Sequence, residues 1–338
     1  MQRIELWWQR AVHEDRLAWL QPLGSAWQGI DRLFQTMHKP QTVGIPVIGV
    51  GSPFLGGTGK TPFTIWLAQR LQAQHNCAVL MRGYRRASQG PQAWWSGSLQ
   101  DATASRLGDE AALLARLAPG VRIQVDAHRW RAAQEALQAG AQLLLLDDAF
   151  QQKHLHVDRR CAVLVQEDLA KPLRPFPSGR LRHPIQMLQD MDIVVLIDGD
   201  RDSVQVLADR IGGPKRPFIV AAKPAYQWQG PEGSVAAPSG PVAAFCGVGR
   251  PHRFWKALEQ EGCDLVELLE TPDHQAPSPQ LLQEWAAAMK RRGAQAIVCT
   301  AKDAVKGLPA LSLPVWQLEM TLSIPLSEEQ NLLRRLAF

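Results

Sequence analysis

The chain has 338 residues, 46% of them hydrophobic and 20% charged, which is enough for a sizeable core and about two domains of ordinary size. A formal charge of +5 favours anionic partners, such as nucleotides, nucleic acid or acidic lipid, without choosing among them. Five dispersed cysteines argue for reduced thiols and against a zinc site or a disulfide framework. The N-terminus is amphipathic without a signal-peptide core, and no run of about 18 apolar residues is present, so a soluble or peripheral protein is expected.

Residues 1–40 read as helical. Ile4, Trp7, Trp8 and Val12 form one apolar group, and Leu17, Trp19, Leu20, Leu23, Trp27, Ile30, Leu33 and Phe34 continue it at helix-like spacing. Pro22 and Gly24 are expected to break or kink the run. Tryptophan and arginine around an apolar stripe suit a helix lying in a membrane interface, and a helix packed on the body of the protein is the competing reading.

The run Val43 to Val50 reads as a buried parallel strand ending in Gly51, and Pro62 to Leu71 as the first turns of a helix. Between them stands Gly56-Gly57-Thr58-Gly59-Lys60-Thr61. Strand, glycine-rich loop, Lys-Thr and helix is the context of a phosphate loop. Glycines let backbone N–H groups turn toward an anion, and the helix N-terminus adds partial positive charge. Lys60 reaches phosphate as a point charge and Thr61 offers its hydroxyl to Mg²⁺. The standard pattern wants glycine five residues before Gly59, where Phe54 stands, so the loop is expected to open differently.

Ala78 to Met81 reads as a strand ending in Arg82-Gly83-Tyr84-Arg85-Arg86, where an arginine suits phosphate and Tyr84 suits a base. Pro91 to Ser105 reads as a loop. Asp109 and Glu110 open an Ala/Leu-rich helix, where carboxylates also complement the helix dipole. A strand at Val121 to Val125 and a helix at Arg129 to Ala139 precede Ala141 to Leu146, an apolar strand that delivers Asp147-Asp148-Ala149-Phe150-Gln151. A carboxylate at the end of a buried strand is the companion of a phosphate loop, and either Asp147 or Asp148 suits Mg²⁺. Strands follow at Ala162 to Val165, Ile193 to Ile197 and Phe218 to Ala222, with a Pro/Arg-rich loop, Leu173 to Pro184, among them.

Tyr226 to Gly240, rich in Gly, Pro and Ser, reads as a connection to a second, smaller α/β unit. That unit is expected to hold strands at Val242 to Cys246, Leu265 to Leu269, Ala296 to Thr300 and Val315 to Met320, and helices at Phe254 to Glu261 and Pro279 to Arg292. His274 follows a strand beside Asp273, although a lone histidine is more often structural. Thr300 to Asp303 resembles the guanine-reading motif of GTPases. Lys302 and Asp303 are adjacent, where that motif separates them, so no guanine specificity is expected.

In this order Gly56-Gly57-Thr58-Gly59-Lys60-Thr61-Pro62, Arg82-Gly83-Tyr84, Gly108-Asp109-Glu110, Asp147-Asp148-Ala149-Phe150-Gln151, Gly247-Val248-Gly249, Asp273-His274 and Lys302-Asp303-Ala304-Val305-Lys306 resemble the tetraacyldisaccharide 4'-kinase (lipid A 4'-kinase) family over essentially the whole chain. The resemblance implies an α/β fold: a P-loop NTPase-type parallel-sheet domain at 41–225, a smaller α/β domain at 226–338 closing the cleft, and the helical segment 1–40 touching a membrane. It implies transfer of the ATP γ-phosphate to the 4'-hydroxyl of tetraacyldisaccharide 1-phosphate, with Mg²⁺, at the cytoplasmic face of the bacterial inner membrane. The partners so implied are the acylated glucosamine disaccharide and the membrane surface, with no nucleic acid.

Carried over by resemblance, Gly56, Gly57, Thr58, Gly59, Lys60 and Thr61 bind phosphate, and Thr61, Asp147, Asp148 and Glu110 form the metal site. Asp109 is implied as the base, assisted by His274, with Lys60 also catalytic. Tyr84, Gln151 and Arg182 are implied as nucleotide or phosphate contacts. The chain departs from the family pattern at Ser52-Pro53-Phe54, Ala149, Gln152, His183, Gln275 and Ala301, and none of these is a residue assigned to catalysis. The alternative class is a P-loop ATPase or GTPase acting as a switch or assembly factor. A nucleic-acid-dependent ATPase fits the charge but lacks an aromatic and basic stripe.

Overall fold

The computed structural model describes residue 8 and residues 11–12, 16–36, 39–83, 86–95, 102–170, 172–273, 275 and 277–338, with backbone alone over 30–36. Among these, twelve strands form one continuous sheet. They are β1 (Val47–Gly51), β2 (Cys77–Met81), β3 (Gln92–Trp94), β4 (Arg122–Val125), β5 (Leu143–Leu146), β6 (Arg159–Val165), β7 (Ile193–Ile197), β8 (Phe218–Gln229), β9 (Val242–Cys246), β10 (Leu265–Glu270), β11 (Ala296–Thr300) and β12 (Val315–Ser323). Their order is β10-β9-β11-β12-β8-β7-β6-β1-β5-β2-β4-β3. Pairing is parallel except at β3–β4 and β8–β12. β1 lies between β5 and β6, so its carboxyl end opens where chain connections diverge to either side, the usual place for a ligand crevice.

Helices cover both faces, which is why the central strands are apolar runs rather than alternating ones. One face carries α2 (Lys60–Leu71) and α3 (Asp109–Leu117); the other carries α4 (Arg129–Gln138) and α5 (Arg201–Ile211). The second half of the sheet is sandwiched between α6 (Pro251–Gln260) and α7 (Pro279–Arg291). Cys77, Cys161, Cys246 and Cys299 are buried and Cys263 half-buried, all as free thiols. Burial pushes the Cys77 thiol up to about 12, so it behaves as a small apolar group.

Several expectations change. Residues 226–229 are not a connection: β8 runs through them, pairing with β7 over Phe218–Ala222 and with β12 over 223–229. The expected boundary at 225/226 therefore falls inside a strand, because residues 223–229 find a backbone partner in β12 where β7 ends. Within the expected loop at 91–105, β3 adds an edge strand and Ala104–Leu107 forms a helical turn. β1 starts at Val47 rather than Val43. A last helix, α8 (Leu326–Leu336), escaped the sequence reading; its Leu332 and Leu336 return to the core beside α2.

At the N-terminus, α1 spans Gln21–Thr36 after a 3-10 turn, Ala18–Leu20. Pro22 sits in the first turn of α1, where its missing N–H costs nothing, and Gly24 does not interrupt the helix. Gly24 instead lets α1 lie on the Pro/Arg-rich loop: a β-carbon there would stand 2.6 Å from the Phe176 carbonyl oxygen. Ile4 and Trp7 lie outside the described residues.

Two glycines of β1 hold the acidic turn against the sheet. A β-carbon at Gly49 would meet Ala149 at 2.8 Å, and one at Gly51 would meet the Phe150 ring at 2.1 Å. Gly51→Ala is expected to cost about 1–3 kcal/mol in urea unfolding through overpacking. Gly29→Ala, exposed on α1 with nothing within 4 Å, is expected to be neutral or to stabilise by up to about 1 kcal/mol. Equal effects of the two would contradict this packing.

Candidate active site

The phosphate loop joins β1 to α2 and opens as its unusual Phe54 suggested. Phe54 is buried and bridges antiparallel to Leu181, the Arg182 N–H donates to the Pro53 carbonyl at 2.7 Å, and the Leu55 N–H donates to the Arg180 carbonyl at 2.9 Å. The Pro/Arg-rich loop thus straps down the first half of the phosphate loop. Its second half needs glycine: Gly56, Gly57 and Gly59 have φ of 52°, 58° and 81°, and a β-carbon at Gly59 would lie 2.2 Å from Ile197 Cδ1. Thr58 is buried, and its hydroxyl has no hydrogen-bond partner. A glycine cradle with an orphaned hydroxyl at a helix N-terminus fits a phosphate group.

β5 delivers the acid pair beside this cradle. Thr64 on α2 donates to Asp147 Oδ1 at 3.0 Å, and Lys60 Nζ stands 3.7 Å from Asp148 Oδ1. Asp148 holds φ at 52°, a left-handed conformation that non-glycine residues adopt mainly at constrained turns. Burial, with Glu110 and Asp148 as like charges, pushes Asp147 up to about 7. A cation would relieve that crowding. No group of three or more His, Cys, Asp or Glu among the described residues could hold a metal ion alone. That accords with Mg²⁺ held by one or two carboxylates plus phosphate oxygens and water. Arg129, buried nearby with Nη2 3.5 Å from the Asp147 carbonyl, is lowered to about 10 by burial, against the pull of Asp147 and Asp148.

The opposite wall comes from α3 and from the second half of the sheet. Asp109 is buried at the N-terminus of α3, and its Oδ1 accepts the Glu110 N–H at 2.9 Å. Lys302, one residue into the helical turn after β11, reaches across: its Nζ lies 3.3 Å from Glu110 Oε1, 3.7 Å from Asp109 Oδ2 and 3.7 Å from Asp273 Oδ1. Burial alone would lower this ammonium, but Glu110, Asp109 and Asp273 outweigh it and hold it well above the usual lysine range. Asp303 beside it is structural: it accepts from the Gly247 N–H at 3.0 Å, from the Thr300 hydroxyl at 2.6 Å and from Lys306 Nζ at 2.7 Å.

Together these groups line one cavity of about 610 Å³. Gly56, Gly57, Thr58, Gly59, Lys60, Thr61, Asp109, Glu110, Asp147, Asp148, Gln151 and Arg182 all face it. Tyr84 and His274 lie outside the described residues. Sequence reasoning passed over Arg129 and Arg250, met Lys302 only within a motif, and met Asp273 only as the neighbour of His274. Lys302 had a usable signal, since it follows a buried strand as the acid pair does. Arg250 follows Gly247-Val248-Gly249 at the end of β9. Gln152 and His183 have internal roles: Gln152 Oε1 accepts the backbone N–H groups of His154 and Leu155, and the buried His183 meets the edge of the Phe150 ring.

A family model described as tetraacyldisaccharide-1-P 4'-kinase (LpxK) matches residues 17–337. A tetraacyldisaccharide 4'-kinase of Chlamydia pneumoniae is 32% identical over 85% of this chain and 80% of its own, and one of Gluconacetobacter diazotrophicus is 34% identical over 82% and 81%. A crystal structure described as the "apo" form of LpxK from Aquifex aeolicus in complex with ATP superposes with a TM-score of 0.71 at 25% identity, over 95% of this chain and 99% of that one.

The elevated Asp147 carries a stability prediction. Between the ordinary carboxylate range, about 3.9, and about 7, the folded chain keeps a proton that the unfolded chain has lost. Stability contributed by this group is therefore lost as pH rises through that window. Asp147→Asn, neutral throughout, is expected to melt about 2–5 °C above the unsubstituted protein at pH 8 without nucleotide or Mg²⁺, and the gap should close toward pH 5. Equal melting temperatures at pH 8 would contradict the assignment.

Proposed function

The chain belongs to the tetraacyldisaccharide-1-P 4'-kinase family and transfers the ATP γ-phosphate to the 4'-hydroxyl of tetraacyldisaccharide 1-phosphate, and we propose how its residues divide that work. The observation that carries the division is the convergence of phosphate cradle, acid pair and Asp109 on one cavity. The alternative of a nucleotide-driven switch finds no support among its relatives, which are kinases.

The N–H groups of Gly56 to Gly59 and Lys60 bind the nucleotide phosphates, with Gln151, Arg182 and Tyr84 as further contacts. Thr61 with Asp147 and Asp148 would hold Mg²⁺, with Glu110 as a partner of that site, and the ion would neutralise charge on the phosphate oxygens. Asp109 accepts the proton of the sugar hydroxyl as the new O–P bond forms and the bond to the departing ADP breaks. Lys302 keeps Asp109 and Glu110 in place from the second half of the sheet, and His274 assists Asp109. The apolar residues of the cavity lining, Leu113, Leu117, Phe254, Leu318 and Met320, suit an acceptor that carries hydrocarbon beside its hydroxyl. The two halves of the sheet, joined through β8, act as units that close over both substrates.

The N-terminal segment is the membrane contact, at the cytoplasmic face of the bacterial inner membrane. It is fastened to the body on one side: Trp8 Nε1 donates to the Pro177 carbonyl at 2.8 Å, and its ring packs on Phe176. On its free side Trp19, Leu23 and Trp27 are 73%, 63% and 62% exposed. Leu23 and Trp27, four residues apart, share one face of α1, and Trp19 precedes them in the 3-10 turn, a set suited to an interfacial bed. Among the described residues, no helix is long and apolar enough to cross a membrane.

Two experiments test this. With γ-labelled ATP, Mg²⁺ and tetraacyldisaccharide 1-phosphate in micelles, the protein is expected to label the lipid, and Lys60→Ala is expected to lower that labelling at least about 100-fold. ATP turnover without labelled lipid would overturn the assignment. In flotation with phosphatidylethanolamine/phosphatidylglycerol vesicles, W19S/L23S/W27S is expected to lose about 10-fold or more of its binding while keeping turnover on micellar substrate. Undiminished flotation would remove this set as the membrane contact.

A further inference from the structure

Arg250 lies at the end of the turn after β9, in the second half of the sheet, yet it packs on the phosphate loop of the first. It is 4% exposed. A β-carbon at Gly57 would fall 2.6 Å from Arg250 Cγ and 3.2 Å from its Nε, so the arginine stem occupies the space that this glycine leaves open. Gly249 also approaches the loop: a β-carbon there would be 3.4 Å from the Gly57 nitrogen.

One edge of the guanidinium is engaged. Nη2 donates to Asp168 Oδ1 at 2.7 Å and to Oδ2 at 2.6 Å, while Nη1 stands 3.6 Å from Glu167 Oε2, beyond hydrogen-bond range. Nε and Nη1 are buried with no hydrogen-bond partner. Buried donors are normally satisfied, and those of a permanent cation are costly to leave bare. Asp168 has a second cation: Arg180 Nε stands 3.8 Å from Oδ1, and Arg180 Nη2 donates to the carbonyls of Leu55 and Gly56. Glu167 is likewise held, with His252 Nε2 2.9 Å from its Oε2. The carboxylates near Arg250 thus hold other groups as well, and Arg250, a residue of the cavity lining beside the cradle, keeps Nε and Nη1 buried and unsatisfied.

We propose that Arg250 is a ligand of the nucleotide's terminal phosphate and that Asp168 is its positioning residue. The proposal rests on the nucleotide reading of the phosphate loop. Guanidinium is permanently charged, and its planar fork matches phosphate oxygens through paired N–H groups. Asp168 takes Nη2 and leaves Nε and Nη1 without a partner, open to an anion. The terminal phosphate of ATP supplies that anion, and ADP does not. Contact from the second half of the sheet would therefore depend on an intact triphosphate.

The test is calorimetric titration of the full chain with Mg²⁺–ATP and Mg²⁺–ADP. Arg250→Met is expected to weaken ATP about 10- to 100-fold while ADP stays within about twofold. Asp168→Asn, which keeps the arginine, is expected to weaken ATP by a smaller factor, about 2- to 10-fold, again sparing ADP. Parallel losses for ATP and ADP would mean a brace between the two halves and overturn the proposal. Unchanged ATP affinity with a raised KM for the lipid would also overturn it, assigning the arginine to the lipid 1-phosphate. Should Arg250→Met not fold, Asp168→Asn decides alone: selective loss of ATP supports the proposal, and parallel or absent loss rejects it. Failure of the unsubstituted protein to bind ADP would instead reject the nucleotide reading itself.

Discussion

A single ammonium, Lys302 Nζ, stands within 3.7 Å of three carboxylates from two distant parts of the chain, Asp109 and Glu110 on α3 and Asp273 after β10. Such a concentration of negative charge in a part-buried site is affordable only if cations meet it, because uncompensated carboxylates take up protons instead. Asp147 shows what happens where compensation is thin: burial and its acidic neighbours raise it to about 7. The remaining compensation must come from Lys60, Arg129 and a bound divalent cation. The cavity is therefore an electrostatic unit whose members cannot be understood separately.

The sheet makes that unit possible. β1 and β5 run side by side and parallel, β5 ending opposite Gly49, so the cradle after Gly51 and the acid pair after Leu146 emerge at the same end of the sheet. The glycines of β1 admit the Ala149 and Phe150 side chains, which lets the acid turn fold back against the strand. β8 carries the sheet on without a break, pairing parallel with β7 and antiparallel with β12, and so brings the turn after β9 and Lys302 after β11 to the same opening. Neither half holds the phosphate cradle, Asp109, Lys302 and Arg250 by itself.

Much of this was legible in the sequence. A buried strand running into Gly-rich Lys-Thr, and four leucines running into Asp147-Asp148, fix a nucleotide-type crevice because parallel strands buried on both faces must be apolar and must end in loops. What was not legible depended on pairing between distant segments. Residues 226–229 looked like a linker, since β8 gains its partners from β7 and from β12, nearly a hundred residues later. α8 is short and charged on most of its surface, and its two buried leucines declare themselves only against α2. Arg250 carried no signal in the sequence, because its meaning lies in Gly57 and Asp168. Phe54 broke the standard loop pattern, and only its pairing with Leu181 explains how the loop opens.

The account stands or falls on Asp109 as the group that takes the proton from the sugar hydroxyl. The most direct measurement compares lipid phosphorylation and nucleotide affinity in Asp109→Asn, a near-isosteric change that keeps the hydrogen bond to the Glu110 N–H within reach. The account predicts that transfer to the lipid falls by about 10²- to 10⁴-fold while the dissociation constant for Mg²⁺–ATP stays within about threefold. Unchanged lipid phosphorylation in this variant would contradict it and move the base to another residue of the cavity.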